Sequence, residues 1–129
     1  LAGYLLLGKL SVLNSERYSS GWNFGPKDTD IRRVEDILAM AIAYWKKGKL
    51  IYDEHYNPHE TNLLKLDVSK ALTYLRWQPI FDASRAIKMT VDWYDKYYDG
   101  TEKSMYAYTK ASIAAYEQAA AAADIEWSD

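Results

Sequence analysis

The stretch from Asp82 to Gly100, "DASRAIKMTVDWYDKYYDG", shows the clearest secondary-structure pattern in the chain. Asp82 can cap the start of a helix, and Gly100 can end it in the left-handed backbone conformation. Between them, apolar side chains recur every three or four residues, as they do on one helical face. The pattern predicts a long helix with a wide face in the core. That face comprises Ala83, Ile87, Met89, Val91, Trp93, Tyr94, Tyr97 and Tyr98.

Four further helices are predicted on either side of this one. The apolar opening forms a helix over residues 1–13, and Asp30 caps a second helix that ends near Gly48. Asp67 caps a short helix from Val68 to about Leu75. The alanine-rich stretch "SMYAYTKASIAAYEQAAAAA" forms the last one, because alanine has the highest helix propensity.

Short strands are predicted at three places between the helices. Residues 22–24 form an extended segment that is closed by Gly25 and Pro26, and "LLKLD" alternates weakly over residues 63–67. The stretch that starts at Leu50 is a third strand or extended segment. The predicted fold class is therefore an α-rich α+β domain, a small helical lobe with two or three short strands.

The chain length fits a single domain over residues 1–129. With 49% hydrophobic and 26% charged residues, the composition is that of a globular protein. A net charge of −2 gives no general attraction to nucleic acid or to anionic membranes, so neither is expected as a partner. The opening apolar run is too short to cross a bilayer, which takes about 20 residues.

The chain contains no cysteine, which excludes disulfides and thiol chemistry and fits a reducing compartment such as the cytoplasm. No glycine-rich phosphate loop is present, so no cofactor-binding residue is predicted. His55 and His59 have the spacing of metal ligands on a helix, but Pro58 disfavours a helix there, and no metal site is predicted. No catalytic residue is predicted either.

The polar loop before "LLKLD" is the best candidate for ligand binding. His59 can donate a hydrogen bond, and Glu60 can accept hydrogen bonds from two hydroxyl groups, a combination suited to sugar-like ligands. A solvated loop in which Glu60 caps a local backbone group is the alternative, and the spacing alone favours it.

Four fragments in register carry a family resemblance. They are "WNFGP" (22–26), "HETNLLKLDVSKA" (59–71), "LRWQP" (75–79) and "TVDWYDKYY" (90–98). In this order they resemble the C-terminal part of CDP-glucose 4,6-dehydratases, which are extended short-chain dehydrogenase/reductase proteins. The resemblance runs from about Leu1 to Tyr116. It implies that the chain is the substrate-binding lobe of a nucleotide-sugar dehydratase.

The resemblance also assigns substrate-binding residues. The position of Glu60, seven residues before Asp67, contacts the nucleotide ribose in related epimerases. Asn57 stands where those relatives carry a diphosphate-binding arginine, and a neutral amide cannot replace the charged bidentate contact. His59 would partly compensate. The substrate-binding residues implied are therefore Asn57, His59 and Glu60.

Two departures from the family pattern bear on function and stability. Arg76 stands where the family usually has glycine, and a left-handed backbone there would cost arginine about 1 kcal/mol. The family's N-terminal domain, which holds the NAD-binding glycines and a Tyr-xxx-Lys pair, has no counterpart in the chain. The complete enzyme would use NAD to dehydrate CDP-glucose, whereas this chain alone is expected to bind the CDP-sugar without catalysing the reaction.

Two hypotheses about the chain follow. The missing initiator Met and the uncapped first helix favour a fragment that binds a nucleotide sugar beside an absent N-terminal domain. The alternative is a stand-alone interaction module derived from such a lobe. In that case exposed aromatic residues, 15% of the chain, would drive self-association.

Overall fold

The computed structural model describes residues 1–51 and 66–125. Six α-helices follow one another in the described part, together with a 3-10 turn at Asp28–Asp30. The helices are α1 (Ala2–Leu13), α2 (Ser15–Tyr18), α3 (Val34–Trp45), α4 (Ser69–Leu75), α5 (Ala83–Asp99) and α6 (Met105–Ala122).

The predicted α+β class is wrong, because the described residues contain helices and no strand. Residues 22–24 are irregular rather than extended in a sheet, and so are Leu66 and Asp67 at the end of the "LLKLD" stretch. Trp22 and Phe24 instead pack their rings against helices, which stabilises the segment without a neighbouring strand. Leu50 and Ile51, at the start of the third predicted strand, are irregular too, and the remaining residues of the second and third predicted strands lie outside the described residues.

The predicted helix ends are partly confirmed. The Asp82 carboxylate accepts a hydrogen bond from the Arg85 backbone N–H at 2.8 Å, and α5 ends at Gly100 with a φ of 61°. Helix α3 begins at Val34, and its end was predicted too late. Lys46, rather than Gly48, takes the left-handed conformation that ends α3, with a φ of 57°.

The first packing cluster lies around the end of α4. Ala71, Leu75 and Trp77 are buried, and Trp77 is only 8% exposed. Apolar side chains of α1 and of residues 18–24 pack on them: Leu6, Leu7, Leu10, Tyr18, Trp22 and Phe24. Trp77 therefore has a structural role, joining the end of α4 to α1 and to residues 18–24.

The second packing cluster joins α5 to α3 and α6. The Tyr44 and Ser84 hydroxyls are 2.7 Å apart between α3 and α5, and the Trp93 indole N–H donates to Thr109 Oγ1 of α6 at 2.9 Å. Val91 is the buried residue of α5. The prediction that the whole aromatic face of this helix is core is wrong, because three of its tyrosines are exposed: Tyr94, Tyr97 and Tyr98.

Candidate functional site

The segment that carries "WNFGP" lies against the start of α4. The Lys70 ammonium donates hydrogen bonds to Ser20 Oγ at 2.8 Å and to the Gly21 carbonyl at 2.9 Å, and it sits 4.3 Å from the centre of the Trp22 ring. The Asn23 side-chain amide donates to the Asp67 carbonyl at 3.1 Å. Residues 20–23 are therefore held against Asp67 and the start of α4 by direct contacts.

Asp67 connects this contact region to α4. Its carboxylate accepts a hydrogen bond from the Ser69 backbone N–H at 2.9 Å, just ahead of the first helical turn. An acidic group at this end of a helix also interacts favourably with the helix dipole. The prediction that Asp67 is the N-cap residue is wrong by one position, because the helix starts at Ser69 and Val68 occupies the N-cap position without a side-chain cap.

The residues predicted to bind substrate lie outside the described residues. They are Asn57, His59 and Glu60, and His55 lies there too. Their roles therefore stay predictions. Within residues 1–51 and 66–125, no group of three or more acidic or histidine side chains is arranged to hold a metal ion.

A polar cleft of about 440 Å³ opens beside the start of α5. Its basic lining residues are Lys27, Arg32 and Arg85, and its acidic ones are Asp30 and Asp82. This cleft could not be predicted from the sequence, because its two lining segments, residues 27–32 and 79–85, are about 50 residues apart.

The charges of this polar cleft are largely engaged within the fold. Asp30 accepts a hydrogen bond from the Ala83 backbone N–H and pairs with the Arg32 guanidinium at 3.2 Å. The Arg85 guanidinium lies 4.0 Å from the centre of the Phe81 ring. These contacts fix the start of α5 against residues 28–32, so the cleft is assigned a structural role.

An apolar groove of about 590 Å³ runs between α1 and α6. Its described lining residues are Leu1, Ala2, Leu5, Leu6, Lys9, Phe81, Ala86, Met89, Thr109, Ser112, Ile113, Tyr116, Glu117 and Ala120, and we refer to it as the α1–α6 groove. Lys9 and Glu117 are charged, and most of the others are apolar. The many apolar residues of α1 were the available sequence signal that this helix contributes to a contact surface.

Tyr116 closes one side of the α1–α6 groove. Its ring packs edge-on against Phe81, with the ring centroids 5.0 Å apart. Burial raises the pKa of the Tyr116 hydroxyl, and a hydrogen bond with the Ile80 backbone partly offsets that rise. Tyr116 is therefore neutral at physiological pH and contributes an apolar wall to the groove.

No described helix has the length and hydropathy needed to cross a membrane. The polypeptide matches no protein-family model.

The chain has clear sequence similarity to a dehydratase. Over 120 residues the chain is 32% identical to the CDP-glucose 4,6-dehydratase of Salmonella typhimurium strain LT2. The alignment covers 92% of this chain but 33% of the Salmonella protein. The resemblance inferred from the four sequence fragments is thus confirmed, and the chain is homologous to about a third of a CDP-glucose 4,6-dehydratase.

Proposed function

We propose that this chain is the nucleotide-sugar-binding segment of a protein related to CDP-glucose 4,6-dehydratase and that it is not catalytic by itself. The observation that carries the proposal is the similarity to the Salmonella enzyme along 92% of the chain. The chain corresponds to about a third of that enzyme's length, so a part of the activity is the most that the similarity supports. Binding of a CDP-sugar is the part that suits a substrate lobe.

The proposed contacts come from the loop that holds Asn57, His59 and Glu60. The Glu60 carboxylate would accept hydrogen bonds from two ribose hydroxyls, which is within the capacity of an ionised acid. His59 would donate a hydrogen bond to the diphosphate, and Asn57 would supply a weaker neutral contact than arginine does. In the complete enzyme, NAD would be bound by an N-terminal domain and not by these residues.

The described contacts support this proposal through the region next to the loop. Asn23 and Lys70 tie residues 20–23 to Asp67 and α4, and Asp67 follows the proposed binding loop in the sequence. These hydrogen bonds hold Asp67 in a fixed position seven residues after Glu60 in the sequence. Preorganisation of this kind reduces the entropy that is lost when a ligand binds nearby.

Isothermal titration of the whole chain with CDP and with CDP-glucose tests the proposal. We expect saturable binding of both ligands, weaker binding of UDP, and no binding of NAD. Glu60→Ala should weaken CDP binding by about tenfold or more, the effect of losing a charged hydrogen-bond acceptor. Glu54→Ala, which removes a carboxylate from the same stretch, is the control and should bind like the unmodified chain. Absence of CDP binding, or equal loss in both variants, would contradict the proposed site.

A second candidate function is self-association, as in a stand-alone interaction module. The observation that favours it is the number of large apolar side chains left exposed on α1, α3 and α5, including Leu5, Val34 and Tyr98. Apolar surface of this kind is typical of protein interfaces. Sedimentation velocity over a range of concentrations would detect a dimer, and a monomer at all concentrations would exclude this candidate.

A further inference from the structure

The polar cleft at the start of α5 uses its acidic groups to hold the fold together. The Asp30 carboxylate accepts a hydrogen bond from the Ala83 backbone N–H, and the Asp82 carboxylate accepts one from the Arg85 backbone N–H at 2.8 Å. Both carboxylates therefore satisfy backbone donors in the first turn of α5. The Asp30 bond also joins residues 28–30 to α5, so the two segments that line the cleft are held together at this point.

The basic groups of the same cleft keep most of their hydrogen-bond donors. Within the described part of the chain, the Lys27 ammonium has no hydrogen-bond or ion-pair partner. The Arg85 guanidinium lies over the Phe81 ring and makes no side-chain hydrogen bond with a described residue. Arg32 donates one N–H to Asp30 at 3.2 Å. Since a guanidinium has five N–H donors and an ammonium has three, most of these donors are left for a ligand.

The charge and the size of the cleft favour a phosphorylated small molecule. Three basic and two acidic side chains line it, so the lining is net positive although the whole chain carries a net charge of −2. A guanidinium fork beside an ammonium suits a phosphate monoester, which has three acceptor oxygens and a charge of about −1.5 to −2. The volume of about 440 Å³ falls in the range of small-ligand pockets, roughly 300–1,000 Å³.

We propose that this cleft, besides fixing the start of α5, binds the phosphate group of a small phosphorylated molecule. Arg85 and Lys27 are its principal contacts, because both are cations without an acidic partner among the described residues. The Phe81 ring orients the Arg85 guanidinium, which reduces the side-chain entropy that is lost when the anion binds. The inference does not rest on the proposed binding of a CDP-sugar, and it adds a second site to the chain.

Isothermal titration in a phosphate-free buffer tests the site with inorganic phosphate, glucose 1-phosphate and glucose. We expect saturable binding of both phosphates and no binding of glucose, because the cleft recognises the phosphate group. Arg85→Gln should raise the Kd for both phosphates by about tenfold or more, the effect of losing a charged hydrogen-bond donor. Arg85→Lys keeps the charge but loses the planar fork, so its Kd should lie between those of Arg85→Gln and the unmodified chain. Lys27→Gln should also weaken binding, and it lies outside the helices.

Arg17→Gln is the matched control. The Arg17 guanidinium also lies over an aromatic ring, 5.6 Å from the centre of Tyr18, but it belongs to α2 and does not line the cleft. This variant should bind phosphate like the unmodified chain, and circular dichroism would show that the variants keep their helices. Equal weakening by Arg17→Gln and Arg85→Gln would show attraction by overall charge and would overturn the site. Absence of phosphate binding by the unmodified chain at millimolar ligand would overturn it too, whereas the effect of Glu60→Ala on CDP binding would stand separately.

Discussion

The Phe24 ring packs edge-on against the Trp77 indole, with ring centroids 4.9 Å apart and planes at 87°. The Tyr4 ring of α1 also packs edge-on with Phe24, with ring centroids 5.2 Å apart. Edge-to-face pairs of this kind add about 1 kcal/mol to the effect of burial. Phe24 thus connects α1 to the end of α4 and holds residues 22–24 in place without a sheet.

Gly3 should be intolerant of a side chain because of Phe24. A Cβ atom at Gly3 would stand 2.4 Å from Phe24 Cδ1, closer than carbon atoms can approach. We expect Gly3→Ala to lower the free energy of unfolding by roughly 1–3 kcal/mol, the usual effect of overpacking. Gly8 lies on the same helix and has open space around its Cβ position. Gly8→Ala should therefore raise the free energy of unfolding by up to about 1 kcal/mol. Urea unfolding of both variants measures the difference, and equal effects would show that Phe24 can move aside.

Arg76 should be destabilising where it stands. It ends α4 in the left-handed conformation, with φ of 50° and ψ of 25°, and the next residue, Trp77, donates its backbone N–H to the Ala71 carbonyl at 3.2 Å. A residue with a Cβ atom loses about 1 kcal/mol in this conformation, and glycine does not. We expect Arg76→Gly to be more stable than Arg76→Ala by about 1 kcal/mol, as measured by chemical denaturation. The alanine variant is the proper reference because it removes the same side chain. Equal stability of the two variants would contradict a strained backbone at this position.

The helices were more predictable than their surroundings, and the reasons are local. Asp82 and Gly100 carry their signals within a few residues of the helix ends that they form, so α5 could be placed from the sequence. The end of α3 could not, because Lys46 takes the left-handed conformation two residues before Gly48, against its intrinsic preference. Residues 22–24 have strand-like composition, but their position is decided by ring contacts with Tyr4 and Trp77, which are distant in sequence.

The candidate sites, like the helices, were predictable only where the deciding residues lie close together in the sequence. Similarity to the dehydratase was recognisable from short fragments, since each fragment is contiguous in the sequence. The α1–α6 groove was not predictable in detail, because its walls lie about 100 residues apart and pattern analysis of one helix does not reveal its neighbour.

Asp30 should stabilise the start of α5 rather than the start of α3. The sequence predicted it as the cap of the helix that follows it, but α3 begins at Val34, and the Asp30 carboxylate instead accepts from the Ala83 backbone N–H. Loss of a side-chain cap costs about 0.5–2 kcal/mol, so we expect Asp30→Ala to lower the unfolding free energy by that amount. Asp30→Asn keeps an acceptor oxygen and should lose less. Thermal unfolding followed by circular dichroism would rank the stability of the unmodified chain and the two variants. An Asp30→Asn variant as unstable as Asp30→Ala would show that the charge of Asp30, and not its hydrogen bond, stabilises the helix start.

Tyr116 should make stability fall at high pH. Burial raises the pKa of its hydroxyl above the ordinary value of 10.0, so the folded protein holds this proton more tightly than the unfolded chain does. The contribution of the Tyr116 hydroxyl to the free energy of unfolding is fully present below its pKa in the unfolded chain. This contribution is lost as the pH rises through its pKa in the folded protein, because the unfolded chain releases the proton first. We expect Tyr116→Phe to reduce the fall of unfolding free energy between about pH 9 and pH 11, a range set by the tyrosine pKa.

Tyr106→Phe, at a site that is 79% exposed, is the control and should follow the pH dependence of the unmodified chain. Urea unfolding at several pH values measures the free energy of unfolding of each protein. The slopes of this free energy against pH are compared rather than its absolute values, because Tyr116→Phe also removes the hydrogen bond with Ile80. Parallel curves for all three proteins would contradict a raised pKa at Tyr116.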